Sequence, residues 1–154
     1  RAANRRIDIL YDYTDGSTSF DDIEDPLPYD INAPVIEVGD NDYAIWYRDM
    51  AEEPGNYENK VVRFKCQLLA GEKIPYGKMI AGRDIMSCCA DDVEFAGLLC
   101  NWENAKSLKE TVWAVLTAKV NYKFTNIYGR EGPVLTYIEH EVCPAPDEPV
   151  ATFY

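Results

Sequence analysis

Apolar and polar residues alternate with period two along "KVVRFKCQLLA", residues 60–70. Val62, Phe64, Cys66 and Leu68 fall on one side, with Arg63, Lys65 and Gln67 opposite, the mark of a half-buried strand. Four more strand-like segments follow. "KMIAGRDIM" reads as the second and "EFAGLLCNW" as the third. "TVWAVLTAKVNYKF" is a long fourth, with Val112, Ala114, Leu116, Ala118 and Val120 on one face. "PVLTYIEHEV" is the fifth, with Thr136, Ile138, His140 and Val142 sharing a face. "GEKIPYG" and "NIYGREG" read as turns, and "ENAKSLKE" as a short helical or turn element between strands three and four.

Ahead of these strands the period is helical. Tyr43, Trp46, Tyr47 and Met50 recur at helix spacing, with Asp40 or Asn41 as cap and Pro54–Gly55 as stop. The pattern predicts a helix from Asp42 to Glu53 that buries its aromatic stripe as core rather than as a ligand site. The order predicts a mainly β fold: a five-stranded OB-like barrel, with this N-terminal helix at one end and a short helix between strands three and four. An open antiparallel sheet with the helix on one face is the alternative.

Three regions are expected. Residues 1–34 form an acidic arm rich in Pro and Asp, with short strands expected at Arg6–Tyr11 and, just beyond the arm, Val35–Val38. Tyr11, Tyr13, Phe20 and Tyr29 are candidates to pin the arm to the body. Residues 35–142 form the OB-like domain. Residues 143–154, "CPAPDEPVATFY", form a Pro-rich tail expected to lie extended along the surface.

Composition narrows the function. The 154 residues suit one domain with a real core, and 47% hydrophobic residues exclude wholesale disorder. A net charge of -12 repels a phosphate backbone, so nucleic acid is not an expected partner. The acid is uneven: residues 1–58 hold 15 Asp and Glu against four Arg, while the rest is balanced. No run of 18 apolar residues exists, so no direct membrane span is expected in this stretch. The start at "RAANRR", without Met or a signal peptide, is what a fragment or processed product would show.

Five cysteines, an odd number, argue against a full disulfide framework. No G-x-S-x-G, phosphate loop or H-E-x-x-H is present, and no spacing supports a Cys–His nucleophile pair, so a non-enzymatic role is expected. The chemistry concentrates in "DIMSCCADD", Asp84 to Asp92. Adjacent strand cysteines point in opposite directions, and the pair lacks C-x-x-C spacing. At a strand end, however, a loop can gather Cys88, Cys89 and Asp91 (or Asp92). His140, the one histidine, is the candidate fourth ligand. Sulfur, imidazole and carboxylate together suit zinc or copper(I). Against this stands the plainer reading, in which a cysteine of the pair is a small buried hydrophobe and His140 sits at the core edge. Cys66 and Cys100 read as core.

These segments resemble a known family. "IEVGDNDYAIWYRDMAEEPGNYENKVVRFKCQLL", "GRDIMSCCADDVEFAGLLCNW", "LKETVWAVLTAKV" and "GPVLTYIEHEV" are similar to the C-terminal domain of the uncharacterised bacterial DUF1980 family, from about Val35 onward. The most specific mark falls on Arg83, Met86, Ser87, Cys88, Cys89, Ala90 and Asp91. Members usually carry two N-terminal transmembrane helices and are often encoded beside a predicted permease. The resemblance therefore implies the soluble, extracytoplasmic part of a membrane-anchored protein, with a membrane permease as partner and a metal-related transport role. The leading expectation is an accessory or binding domain that handles a thiophilic metal. A structural protein–protein interaction module ranks second and a thiol-redox function third.

Overall fold

The computed structural model describes residues 27–71, 73–87 and 90–153. The expected strand at Arg6–Tyr11, and the pinning roles of Tyr11, Tyr13 and Phe20, lie outside these residues. The elements are β1 (Ile36–Glu37), α1 (Tyr43–Glu52), β2 (Val61–Leu69), β3 (Lys78–Met86), β4 (Val93–Asn101), β5 (Val112–Thr125), β6 (Arg130–Val142) and β7 (Ala151–Thr152). Single 3-10 turns lie at Pro54–Asn56, Ala90–Asp92 and Ala105–Ser107. The fold is mainly β, one seven-stranded sheet in which five strands form a ring.

The ring runs β2–β5–β6–β4–β3 and returns to β2. β2 divides its two edges: Val61–Leu68 pair with β5, and Gln67–Leu69 also pair with β3. β4 and β6 close the ring in parallel over only Leu99–Asn101 and Val134–Thr136. The alternation in β2 holds, since Val62, Phe64, Cys66 and Leu68 are all buried. Ala114, Leu116, Ala118 and Val120 of β5 are buried with them, as expected.

Helix α1 carries the aromatic stripe inward. Tyr43, Trp46 and Met50 are fully buried, and the Trp46 and Phe64 rings lie 4.5 Å apart. Its hydroxyls serve the short β4–β6 seam. Tyr43 Oη donates to the Ala96 carbonyl at 2.6 Å, and Tyr47 Oη to Gly97 at 3.4 Å. Tyr128 finishes the seam: its hydroxyl accepts from the Leu99 amide at 2.8 Å and donates to the Pro133 carbonyl at 2.6 Å. Buried backbone groups without strand partners need such side chains. The helix cap differs from expectation. The cap position is Asp42, without a side-chain capping bond, and the Asp40 carboxylate pairs instead with Lys65 at 3.1 Å.

The remaining differences are local. β6 begins at Arg130, inside the expected turn, because Gly129 takes a φ of 72° and lets Arg130 pair with Thr125. The tail does not simply lie on the surface: Ala151 is buried, and β7 pairs in parallel with Ile85 and Met86 of β3. At the other terminus, Tyr29 pins the arm as expected. Its hydroxyl sits 2.7 Å from Tyr57 Oη, which donates to Asp49 at 2.7 Å.

Gly82 permits the closest strand contact. A Cβ there would stand 2.3 Å from the Ala96 carbonyl oxygen and 2.6 Å from Gly97 Cα. Both are backbone, so no rotamer change relieves the clash. Gly82→Ala should destabilise the chain by about 2–3 kcal/mol, read as a lower urea midpoint. An unchanged midpoint would show that β3 and β4 separate freely at this point.

Candidate functional site

The β3–β4 ladder runs through nine residue pairs, from Lys78↔Asn101 to Met86↔Val93. Residues 87–92 therefore form the connection of a long hairpin, and it carries the sequence's chemical signature. Cys88 and Cys89 lie outside the described residues. Asp91 is exposed in the 3-10 turn Ala90–Asp92, immediately before β4. Val93 and Phe95, 39% and 42% exposed, stand on the strand leaving that turn.

The base of this hairpin end is braced from inside by Arg83. In β3 the inward positions are Met79, Ala81, Arg83 and Ile85, so a cation takes a core position and is 1% exposed. Its fork donates only to main-chain carbonyls. Nη1 reaches Asp40 at 2.8 Å, Nη2 reaches Glu148 at 3.0 Å, and Nε reaches Pro149 at 3.3 Å. The guanidinium also faces the rings of Tyr43 at 5.6 Å and Trp113 at 5.7 Å. Burial pulls its pKa below the usual arginine value, and nearby Asp40 opposes that shift. One buried side chain thus ties the α1 entry loop and the C-terminal tail to β3. The tail then adds β7 to β3 directly beside Ser87. Sequence reasoning missed this role, although the parity of "KMIAGRDIM" carried the signal.

His140 lies elsewhere. A register shift sets Thr117 opposite Glu139 and Ala118 opposite Tyr137, leaving Ile138 as an extra residue, 49% exposed. This bulge reverses the expected parity. His140 shares the face of Tyr137 and not that of Thr136 and Ile138. Its Nδ1 lies 2.8 Å from Tyr137 Oη, and its ring meets Trp102 edge-on at 5.3 Å. Trp102 in turn stacks on Tyr137 at 4.4 Å. Trp102 follows the last residue of β4, whereas Asp91 precedes the first. His140 and Asp91 are therefore separated by the whole of β4, about 30 Å of extended chain. The structure does not bring these two candidate ligands together. Among the described residues, no three His, Cys, Asp or Glu side chains converge as a metal-holding group.

Cys66 and Cys100 are fully buried free thiols, and Cys143 is half-buried. Burial pushes the Cys66 thiol well up and Cys100 to about 12, and it raises Cys143 as well. These three are protonated at neutral pH and offer no thiolate there.

The described residues define a small, mainly β domain, one sheet with a ring through five strands and a long β3–β4 hairpin. The chain belongs to the DUF1980 C-terminal domain family, whose sequence profile matches residues 14–151. The match starts inside the acidic arm and takes in most of the tail that Arg83 holds. Comparison with curated proteins finds no match.

Proposed function

We propose that the chain is a non-enzymatic binding domain, an OB-type barrel whose working end is the β3–β4 connection. In this reading Cys88 and Cys89, with Asp91 beside them, hold a thiophilic metal, zinc or copper(I), on behalf of a membrane permease partner. The observation that carries it is the bracing of that connection: an unbroken ladder ends at Met86↔Val93, with β7 on the adjoining edge and Arg83 behind it. A ligand loop on a rigid support loses less on binding than a free one. Two sulfurs and a carboxylate favour soft or borderline metals over magnesium. His140 drops out of the set because it sits beyond the opposite end of β4.

The ring order supports the OB-type assignment: β2 pairs with both β3 and β5, and β4 meets β6 in parallel. The family resemblance supports an extracytoplasmic domain of a longer, membrane-anchored protein. Among the described residues no helix is long and apolar enough to cross a membrane.

Elemental analysis of protein purified without chelator, followed by competition with a chromophoric zinc chelator, tests the proposal. About one equivalent of metal is expected, with affinity falling at least about tenfold in Cys88→Ser and in Cys89→Ser and unchanged in His140→Ala. Equal metal content in both serine variants and the parent would overturn thiolate ligation. A metal-free parent would instead favour a protein-interaction module, for which exposed Val93 and Phe95 beside the connection are the supporting observation.

A further inference from the structure

At the other end of the hairpin, Ala70, Gly71 and the segment Ile74–Lys78 face Ala105, Lys106, Leu108 and Lys109 across a cavity of about 540 Å³, within the range of small-molecule sites. Its apolar wall is Ile74, Tyr76 and Leu108, and its cations are Lys78, Lys106 and Lys109. Among the described residues no carboxylate lines it, on a chain whose net charge is -12. The lysines are placed rather than scattered. Lys78 Nζ donates to Asn101 Oδ1 at 2.6 Å, and Lys106 Nζ stands 5.5 Å from the Tyr76 ring centre. That ring is 76% exposed. The Trp102 amide donates to the Gly77 carbonyl at 2.9 Å and fixes one loop to the end of β4.

Apolar walls alone would take any greasy molecule, and lysines alone any anion. Together they select a flat apolar body carrying several negative groups: the ring stacks on Tyr76 while the anions meet the ammonium groups. We propose that this cavity binds a small organic polyanion, at a site independent of the Cys88–Cys89 connection.

Fluorescence anisotropy of pyrenetetrasulfonate titrated with the full chain tests this. Saturable binding is expected, weakened at least about tenfold in Lys106→Glu/Lys109→Glu and several-fold in Tyr76→Ala. Lys119→Glu/Lys123→Glu on β5, with the same change of net charge, should bind within about threefold of the parent. Circular dichroism and melting of each variant check that the fold is kept. Absence of saturable binding would overturn the proposal. Equal loss in both double variants would also overturn it, because the attraction would then be general charge. Displacement of the probe by inorganic pyrophosphate at the same concentration would remove the role of the apolar wall and so overturn it too. Since Cys88→Ser should leave probe binding intact, failure here is distinct from failure of the metal reading.

Discussion

Arg83→Ala will lower the unfolding free energy by about 3–5 kcal/mol, because it removes a buried cation and strands the carbonyls that it serves. The carbonyls of Asp40, Glu148 and Pro149 each accept from the guanidinium, and the Tyr43 and Trp113 rings flank it. Alanine leaves a cavity lined by these acceptors, and water admitted there would sit against the aromatic core. The tail should loosen first, since β7 pairs with β3 over only two residues. Urea unfolding gives the stability, and limited proteolysis with mass spectrometry should show cleavage within 143–153 in the variant and not in the parent. Arg83→Lys should recover only part of the loss, because one ammonium group cannot reproduce a planar fork aimed at three acceptors. An Arg83→Ala protein with the parent's midpoint and an equally protected tail would show that the guanidinium bonds hold nothing in place.

Arg83, the first residue of the stretch that carries the family resemblance, thus has an architectural task. Its cation is spent on main-chain carbonyls, so it reads no particular tail side chain. What it secures is the course of the chain beside Ser87, the residue from which the Cys88–Cys89 connection departs. The bracing residue and the proposed metal ligands therefore fall within one short stretch, Arg83 to Asp91.

The five ring strands were legible because each buries one face against a continuous core, and period-two alternation is the direct imprint of that burial. The helix was legible for the same reason, through Tyr43, Trp46 and Met50. Three features were not. The bulge at Ile138 adds a residue to β6 without altering its composition, so the face of His140 was inferred with the wrong parity. β7 is two residues long in a Pro-rich tail, too short to carry a period. The separation of Asp91 from His140 depends on β4 lying parallel to β6, which is a property of topology and not of any local pattern. The Arg83 clamp is different: alternation already placed Arg83 with Met79, Ala81 and Ile85. A charge at a core position was the visible anomaly, and only its partners needed coordinates.

Raising the pH should unfold this domain well before all its 11 tyrosines have ionised in the native state. Burial pushes Tyr43 and Tyr57 far up, raises Tyr122, and takes Tyr29 and Tyr128 to about 12. Cys66 moves in the same direction, and Cys100 reaches about 12. The sign follows from linkage. Each group has a folded pKa above its unfolded one, so its contribution is complete below the unfolded value. That contribution drains away as pH rises toward the folded value, because the unfolded chain sheds protons that the native chain retains. The window opens near pH 9 for the thiols and near pH 10 for the phenols, the usual values of about 8.5 and 10. The raised phenols and the two raised thiols all act in this direction, and their losses add as the pH climbs. Urea midpoints should hold steady from pH 7 to about 9 and then fall steeply, with cooperative unfolding between about pH 10 and 12. Phenolate absorbance should rise in two stages, exposed tyrosines first and the buried set together with the loss of circular dichroism. A single smooth phenolate titration near pH 10 with the fold intact would mean that the Tyr43 and Tyr128 hydroxyls are open to solvent, and that the β4–β6 seam is not closed by them.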